Sequence, residues 1–204
     1  MPQRSLESSS RPVIHPSWLR LTHWLNALAV LVMVTSGWQI YNASPIFDFR
    51  FPRSMTLGEW LGGALLWHFA AMWVLAVNGL VYLIANVASG RFLRQYFPLS
   101  ARSIWGDLKA AVSGRLSHAD IRHYNAVQKF AYLFVVADLI LLVISGLVVF
   151  KPVQFPLLRT LLGDYDNARV VHFLAMCGLV GFVLVHVAMA LLVPRTIVAM
   201  LRGR

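Results

Sequence analysis

The 204-residue chain is 58% hydrophobic and only 13% charged, with a mean hydropathy of +0.65. An average soluble domain carries about 25% charged residues, so this composition excludes a soluble globule, which would have nowhere to bury so much apolar surface. The formal charge of +10 reads as membrane topology and contact with anionic lipid, and it argues against nucleic-acid binding.

In chain order, residues 1–16 form a polar tail, and the membrane domain spans 17–200. Within it lie four apolar stretches, at about 24–40, 60–88, 130–150 and 170–193. Each is close to or above the roughly 20 residues a helix needs to cross a bilayer. Helices satisfy their own backbone groups in lipid, so the predicted fold is all-α, an integral-membrane four-helix bundle with helices over about 18–41, 57–88, 123–150 and 168–194. The first stretch starts too late, and lacks the small-residue cleavage pattern, to be a secretory signal. The connections 41–59 and 151–169 are short and contain Pro45, Pro52, Pro152 and Pro156, which interrupt helices. The longest connection, 90–129, contains a short amphipathic helix over about 103–112 that suits the membrane interface. The dipeptides Ser36-Gly37 and Ser145-Gly146 recur near the same end of the first and third helices.

Thirteen of the eighteen Lys and Arg residues lie in the tail, the 90–129 connection and the C-terminus. By the positive-inside rule, both termini are cytoplasmic. The single Cys177 excludes an intramolecular disulfide, a CxxC clip and a CxxCH covalent haem attachment. It reads as a small packing residue.

Seven histidines are present, and His23, His68, His172 and His186 lie within or at the edges of the apolar stretches. His15 and His118 read as solvated. Histidine is costly in lipid and faces the bundle interior with a partner. His172 and His186 are fourteen residues apart, within about 40° of four full turns and separated by about 21 Å of rise, so they share a face near opposite sides of the membrane. His23 opens the first helix from inside and His68 enters the second from outside. The depths pair His68 with His172 and His23 with His186.

Two stacked imidazole pairs suit two bis-His haems, each iron taking one nitrogen from each of two helices. Without CxxCH they are haems b. Zinc wants four protein ligands, or three and a water, at one point, which two separated pairs do not offer. Gly37 lies fourteen residues after His23 and leaves room for a macrocycle, although helix packing is the commoner use of such a glycine. Arg20 and Arg169 each precede a histidine by one turn and could pair with haem propionates or anchor the interface. Bis-His iron has no open position, so the pair of haems reads as an electron wire with a quinone as its membrane-side carrier. Asp138, near mid-bilayer, reads as a neutral carboxyl inside the bundle or a proton relay.

With these pieces in place, the chain resembles the di-haem cytochrome b subunits of formate dehydrogenases, nickel-iron hydrogenases and thiosulfate-reductase-type complexes. The matching segments are Arg20-Leu21-Thr22-His23-Trp24, Trp67-His68-Phe69, His123-Tyr124-Asn125-Ala126-Val127-Gln128-Lys129, and Arg169-Val170-Val171-His172-Phe173 leading to His186. The resemblance implies haem ligation by His23, His68, His172 and His186. It implies a quinone site beside the inner haem at Asn125, Ala126 and Val127, next to His186; the family often has Gly where this chain has Val127. His123 and Gln128 are further polar candidates at that mouth, where helix-start chemistry is the ordinary explanation of Asn125. It also implies a bacterial cytoplasmic (inner) membrane location. The expected function is electron transfer between the quinone pool and an extracytoplasmic redox partner, such as a molybdopterin oxidoreductase or a hydrogenase. On that reading the chain is a subunit rather than a complete enzyme. A stand-alone superoxide:quinone oxidoreductase-type cytochrome b is the alternative, and a non-redox anchor or transporter a third reading. The long basic connection and the Tyr-Asn-Ala-x-Gln-Lys segment favour the complex-bound group.

Overall fold

The computed structural model describes residues 15–113 and 125–203. His118 and His123 lie outside the described residues. Among those described there are helices and no strands. Four helices are long and apolar enough to cross a membrane: α1 Ser17–Ala43, α2 Leu61–Ala88, α5 Ala126–Phe150 and α7 Tyr165–Leu192, of 27, 28, 25 and 28 residues. Shorter helices connect or extend them: α3 Arg91–Tyr96, α4 Ala101–Val112, α6 Pro156–Leu161 and α8 Pro194–Arg202.

The spans form two hairpins, α1 against α2 and α5 against α7. Small side chains, Ala29, Ala64 and Ala71 in the first and Ala168 and Ala175 in the second, are buried where the helices approach. Small residues allow that closeness in lipid, where hydrophobicity does not drive helix association. In the first hairpin Asn78 Nδ2 donates at 2.7 Å to both the Thr22 carbonyl and Asn26 Oδ1. Between hairpins the meeting points are mostly aromatic. Tyr41 stacks on Phe173 at 4.9 Å and Phe69 lies 4.4 Å from Phe150.

Local chemistry shifts three of the expected boundaries. The second span starts at Leu61 rather than 57, because Gly58 and Glu59 have φ of 105° and 57° and turn the chain ahead of the helix. Leu57 N–H donates back to the Thr35 carbonyl of α1 at 3.1 Å. The third starts at Ala126 rather than 123: Asn125 caps it, its side chain accepting from Gln128 N–H at 2.8 Å while Gln128 Oε1 accepts from Asn125 N–H at 3.2 Å. The fourth starts earlier than 168, at Tyr165, behind the cap Asp164. It ends at Leu192, since Pro194 has no N–H to continue the ladder; instead that proline opens α8. The interfacial helix expected at 103–112 is α4, and Asp107 Oδ2 ties it to α5 by accepting from Ala126 N–H at 2.7 Å.

The start of α1 and the end of α8 lie together. Three carbonyls at the end of α8 find donors there: Leu201 from Arg20 at 2.6 Å, Met200 from Trp24 at 3.3 Å and Gly203 from the His15 backbone N–H at 3.4 Å. A helix C-terminus needs such donors. We call this the terminal end of the bundle, and the end carrying the 44–60 and 151–164 connections the distal end.

Candidate functional site

Helix periodicity carries the four intramembrane histidines to two levels. At the terminal end the His23 ring of α1 and the His186 ring of α7 face each other across the hairpins, centroids 6.1 Å apart and planes 52° to one another. Two imidazoles sharing one metal through bonds of about 2 Å would have centroids about 6 Å apart. His186 is also stacked on Phe182 at 5.6 Å and 12°, which holds the ring plane. At the distal end His68 of α2 and His172 of α7 are close enough to interact electrostatically. All four rings are only half-buried, although each lies in a span.

The distal rings have partners that sequence reasoning did not assign. Ser36 Oγ lies 3.1 Å from His68 Nδ1, and Ser145 Oγ lies 3.0 Å from His172 Nδ1. Each serine is fully buried. The next residue, a glycine in both cases, supports the same ring: a Cβ on Gly37 would sit 3.5 Å from His68 Cε1, and one on Gly146 3.2 Å from His172 Cε1. Gly37 therefore lies at the distal level, as its spacing implied, with the His68 ring directly against it. The signal that pointed to Ser36, Ser145 and Gly146 was the repeated Ser-Gly dipeptide.

The terminal end also collects donors. Arg20 Nε, Arg91 Nε and His15 Nδ1 are buried without hydrogen-bond partners. His15 was expected to be solvated but is half-buried; burial first, then the Arg91 and Arg20 charges, hold its pKa below the ordinary histidine value. Sequence reasoning missed Arg91, because it comes to His15 from a segment distant in the chain. At the distal end Arg169 donates to the Ser44 carbonyl at 2.6 Å and to Ser44 Oγ at 3.3 Å, so it ties α7 to the end of α1.

Of the remaining candidates, Asn125, Ala126 and Val127 form the capped start of α5, with Ala126 buried and the other two half-buried. Asp138 is buried in α5; its Oδ2 has no hydrogen-bond partner, and its Oδ1 would lie 3.4 Å from a Cβ on Gly178, midway between His172 and His186. Cys177 is exposed on its span. Among the described residues no three His, Cys, Asp or Glu side chains come together as a metal-ion site; what is present is imidazoles in twos.

The family model for prokaryotic cytochrome b561 matches residues 14–203. The chain belongs to the prokaryotic cytochrome b561 family. It is 63% identical over 190 residues to a putative protein-methionine-sulfoxide reductase subunit YedZ1 of Azospira oryzae, covering 93% of this chain and 96% of that one. It is 25% identical over 194 residues to a probable Ni/Fe-hydrogenase B-type cytochrome subunit of Cupriavidus necator, covering 87% and 78%. A relative with the same description from Azotobacter vinelandii is 24% identical over 204 residues, covering 92% and 83%. The expected kinship with cytochrome b subunits of oxidoreductase complexes is thus met. This cytochrome is a bacterial membrane electron-transfer subunit, and its family implies a b-type haem. Its residues fit such a group: paired imidazoles, glycines that leave the distal rings space, and unpartnered buried donors suited to carboxylates at the terminal end.

Proposed function

We propose that the chain holds two haems b, one between His23 and His186 and one between His68 and His172, and carries electrons from quinol to an oxidoreductase partner on the other face of the cytoplasmic membrane. The observation that carries this reading is the 6.1 Å approach of the His23 and His186 rings from different hairpins. When bound, haem b supplies a one-electron carrier with no open coordination position. The protein's part is to hold the rings: α1 and α7 carry the terminal pair, α2 and α7 the distal pair, and the two levels are about 21 Å apart along α7. Arg20, Arg91 and His15 would take the carboxylates of the terminal group. Arg169 is already engaged by Ser44, so a propionate of the distal group would have to compete with that bond.

The excess of cations at the terminal end supports a cytoplasmic position for that end and both termini. Quinol would react there, beside Asn125, Ala126, Val127 and His186. Asn125 Oδ1 is taken by the helix cap, which leaves its Nδ2 to donate to a quinone carbonyl. The name of the 63% relative supports a partner that reduces methionine sulfoxide in proteins. The balance closes: quinol gives two electrons and two protons, and a sulfoxide consumes two of each to become a thioether and water. A hydrogenase partner, suggested by the more distant relatives, would run electrons the other way.

The purified full-length protein is expected to show reduced b-type bands, about two haems per chain by pyridine haemochrome, and reduction by menadiol. Colourless protein, or a single haem, overturns the reading. Membranes carrying the chain and its partner should couple quinol oxidation to sulfoxide reduction; hydrogen-driven quinone reduction would replace that partner with a hydrogenase.

Asn125→Ala is expected to cost about 1 kcal/mol of stability through the lost cap and to slow quinol oxidation several-fold while both haems remain. Asn125→Ser, which caps comparably, should recover the thermal midpoint but not the turnover. Recovery of both would reduce Asn125 to a cap.

A further inference from the structure

The two Ser-Gly dipeptides do more than make room. Ser36 Oγ donates to the Val32 carbonyl at 2.6 Å, with the Met33 carbonyl at 3.2 Å. Ser145 Oγ does the same with Leu141 at 2.7 Å and Leu142 at 3.3 Å. A hydroxyl has one proton to give, and in both serines the helix's own carbonyl takes it. What each serine then offers the facing imidazole is a lone pair. The 3.1 Å and 3.0 Å contacts are therefore accepted by the serine and donated by Nδ1–H. With the serine protons given to the helix carbonyls, the proton of each contact comes from the ring Nδ1, which leaves the Nε2 lone pair for a metal.

The terminal pair differs: His23 Nδ1 is buried and has no hydrogen-bond partner. A ligating histidine that donates its other N–H becomes a more basic ligand, and hydrogen bonding around the ligands is one of the means by which a protein sets haem potential.

We propose that Ser36 and Ser145 are positioning residues that lock His68 and His172 in the Nδ1–H tautomer and, through it, hold the distal haem at a lower midpoint potential than its imidazoles would give unbonded. The inference rests on the haem pairing proposed above. It is built twice on the same plan, the first helix of each hairpin giving Ser-Gly and the second giving the histidine.

The test is spectropotentiometry with low-temperature EPR on the full-length, haem-loaded protein. The distal midpoint is identified as the one missing from His172→Ala. Ser36→Ala and Ser145→Ala should each raise that midpoint and shift its ferric EPR signal, while the other haem keeps its wild-type midpoint. Ser145→Thr, whose hydroxyl can still bond the preceding turn, should restore the wild-type value. If an alanine variant instead sheds the distal haem, its return in the threonine variant supports the proposal. Unchanged midpoints at two haems per chain, equal shifts of both haems, or a threonine variant that behaves like alanine overturn it. A wild-type protein with fewer than two haems would defeat the pairing itself, which is a separate and recognisable result.

Discussion

His186→Ala is expected to leave one haem of two, with the surviving signal that of the distal site and reduction by quinol lost. His23→Ala should match it, because both rings meet at one point. His68→Ala and His172→Ala should do the reverse, keeping the terminal haem and its reduction by quinol but blocking transfer to the partner. The effect is large because bis-His haem b has no covalent tether, so removing one of two axial ligands removes half of what fixes the iron. The check is haem content by pyridine haemochrome with the reduced spectrum of each variant. A set in which His23→Ala and His186→Ala lose different haems would break the pairing, and equal loss of both haems in every variant would show that the two sites are not separable.

Gly58→Ala is expected to lower the stability of the whole protein rather than one site. Gly58 has φ of 105°, and a Cβ there would lie against the Ala64 backbone nitrogen. Neither the torsion nor the backbone of α2 can yield cheaply, so the cost should reach roughly 3 kcal/mol or more. Leu57 N–H beside it reaches the Thr35 carbonyl, one residue before Ser36, so the strain feeds into the first hairpin. Thermal denaturation in detergent should shift down strongly, with both haem signals falling together. Gly79 is the control, as a Cβ there meets nothing within 4 Å, and its alanine variant should melt near wild type. A Gly58→Ala protein as stable as wild type would show that the turn is not required.

How much of this was legible in the chain depends on the range of each interaction. Hydropathy is a sum over neighbours in sequence, so the four spans were readable, along with the amphipathic character of α4. The last span was expected to run to about 194 and stops at Leu192; beyond it, only docking onto Arg20, Trp24 and His15 makes a helix of residues 194–202, because an isolated nine-residue helix is too short to persist in water. The boundary errors at Leu61 and Ala126 came from turn chemistry and a cap, both of which depend on torsions that a residue type permits but does not dictate.

For the site, His172 and His186 were aligned by helix geometry alone, since both sit on α7. Their partners on α1 and α2 could be matched only by depth, and it took the approach of the hairpins to bring His23 to His186. Ser36 and Ser145 carried no recognisable signal beyond their repetition: a serine in an apolar helix ordinarily bonds its own preceding turn, and both do so. That the same oxygen also accepts from an imidazole 32 residues away in one hairpin and 27 in the other depends on how the helices are rotated against each other. The order of residues determined which segments enter the membrane and which polar groups must enter with them, because the cost of burying each is local. Which of those groups meet, and which ring nitrogen each leaves free, was decided by tertiary packing, because a hydrogen bond between helices exists only at one rotation and one register of the pair.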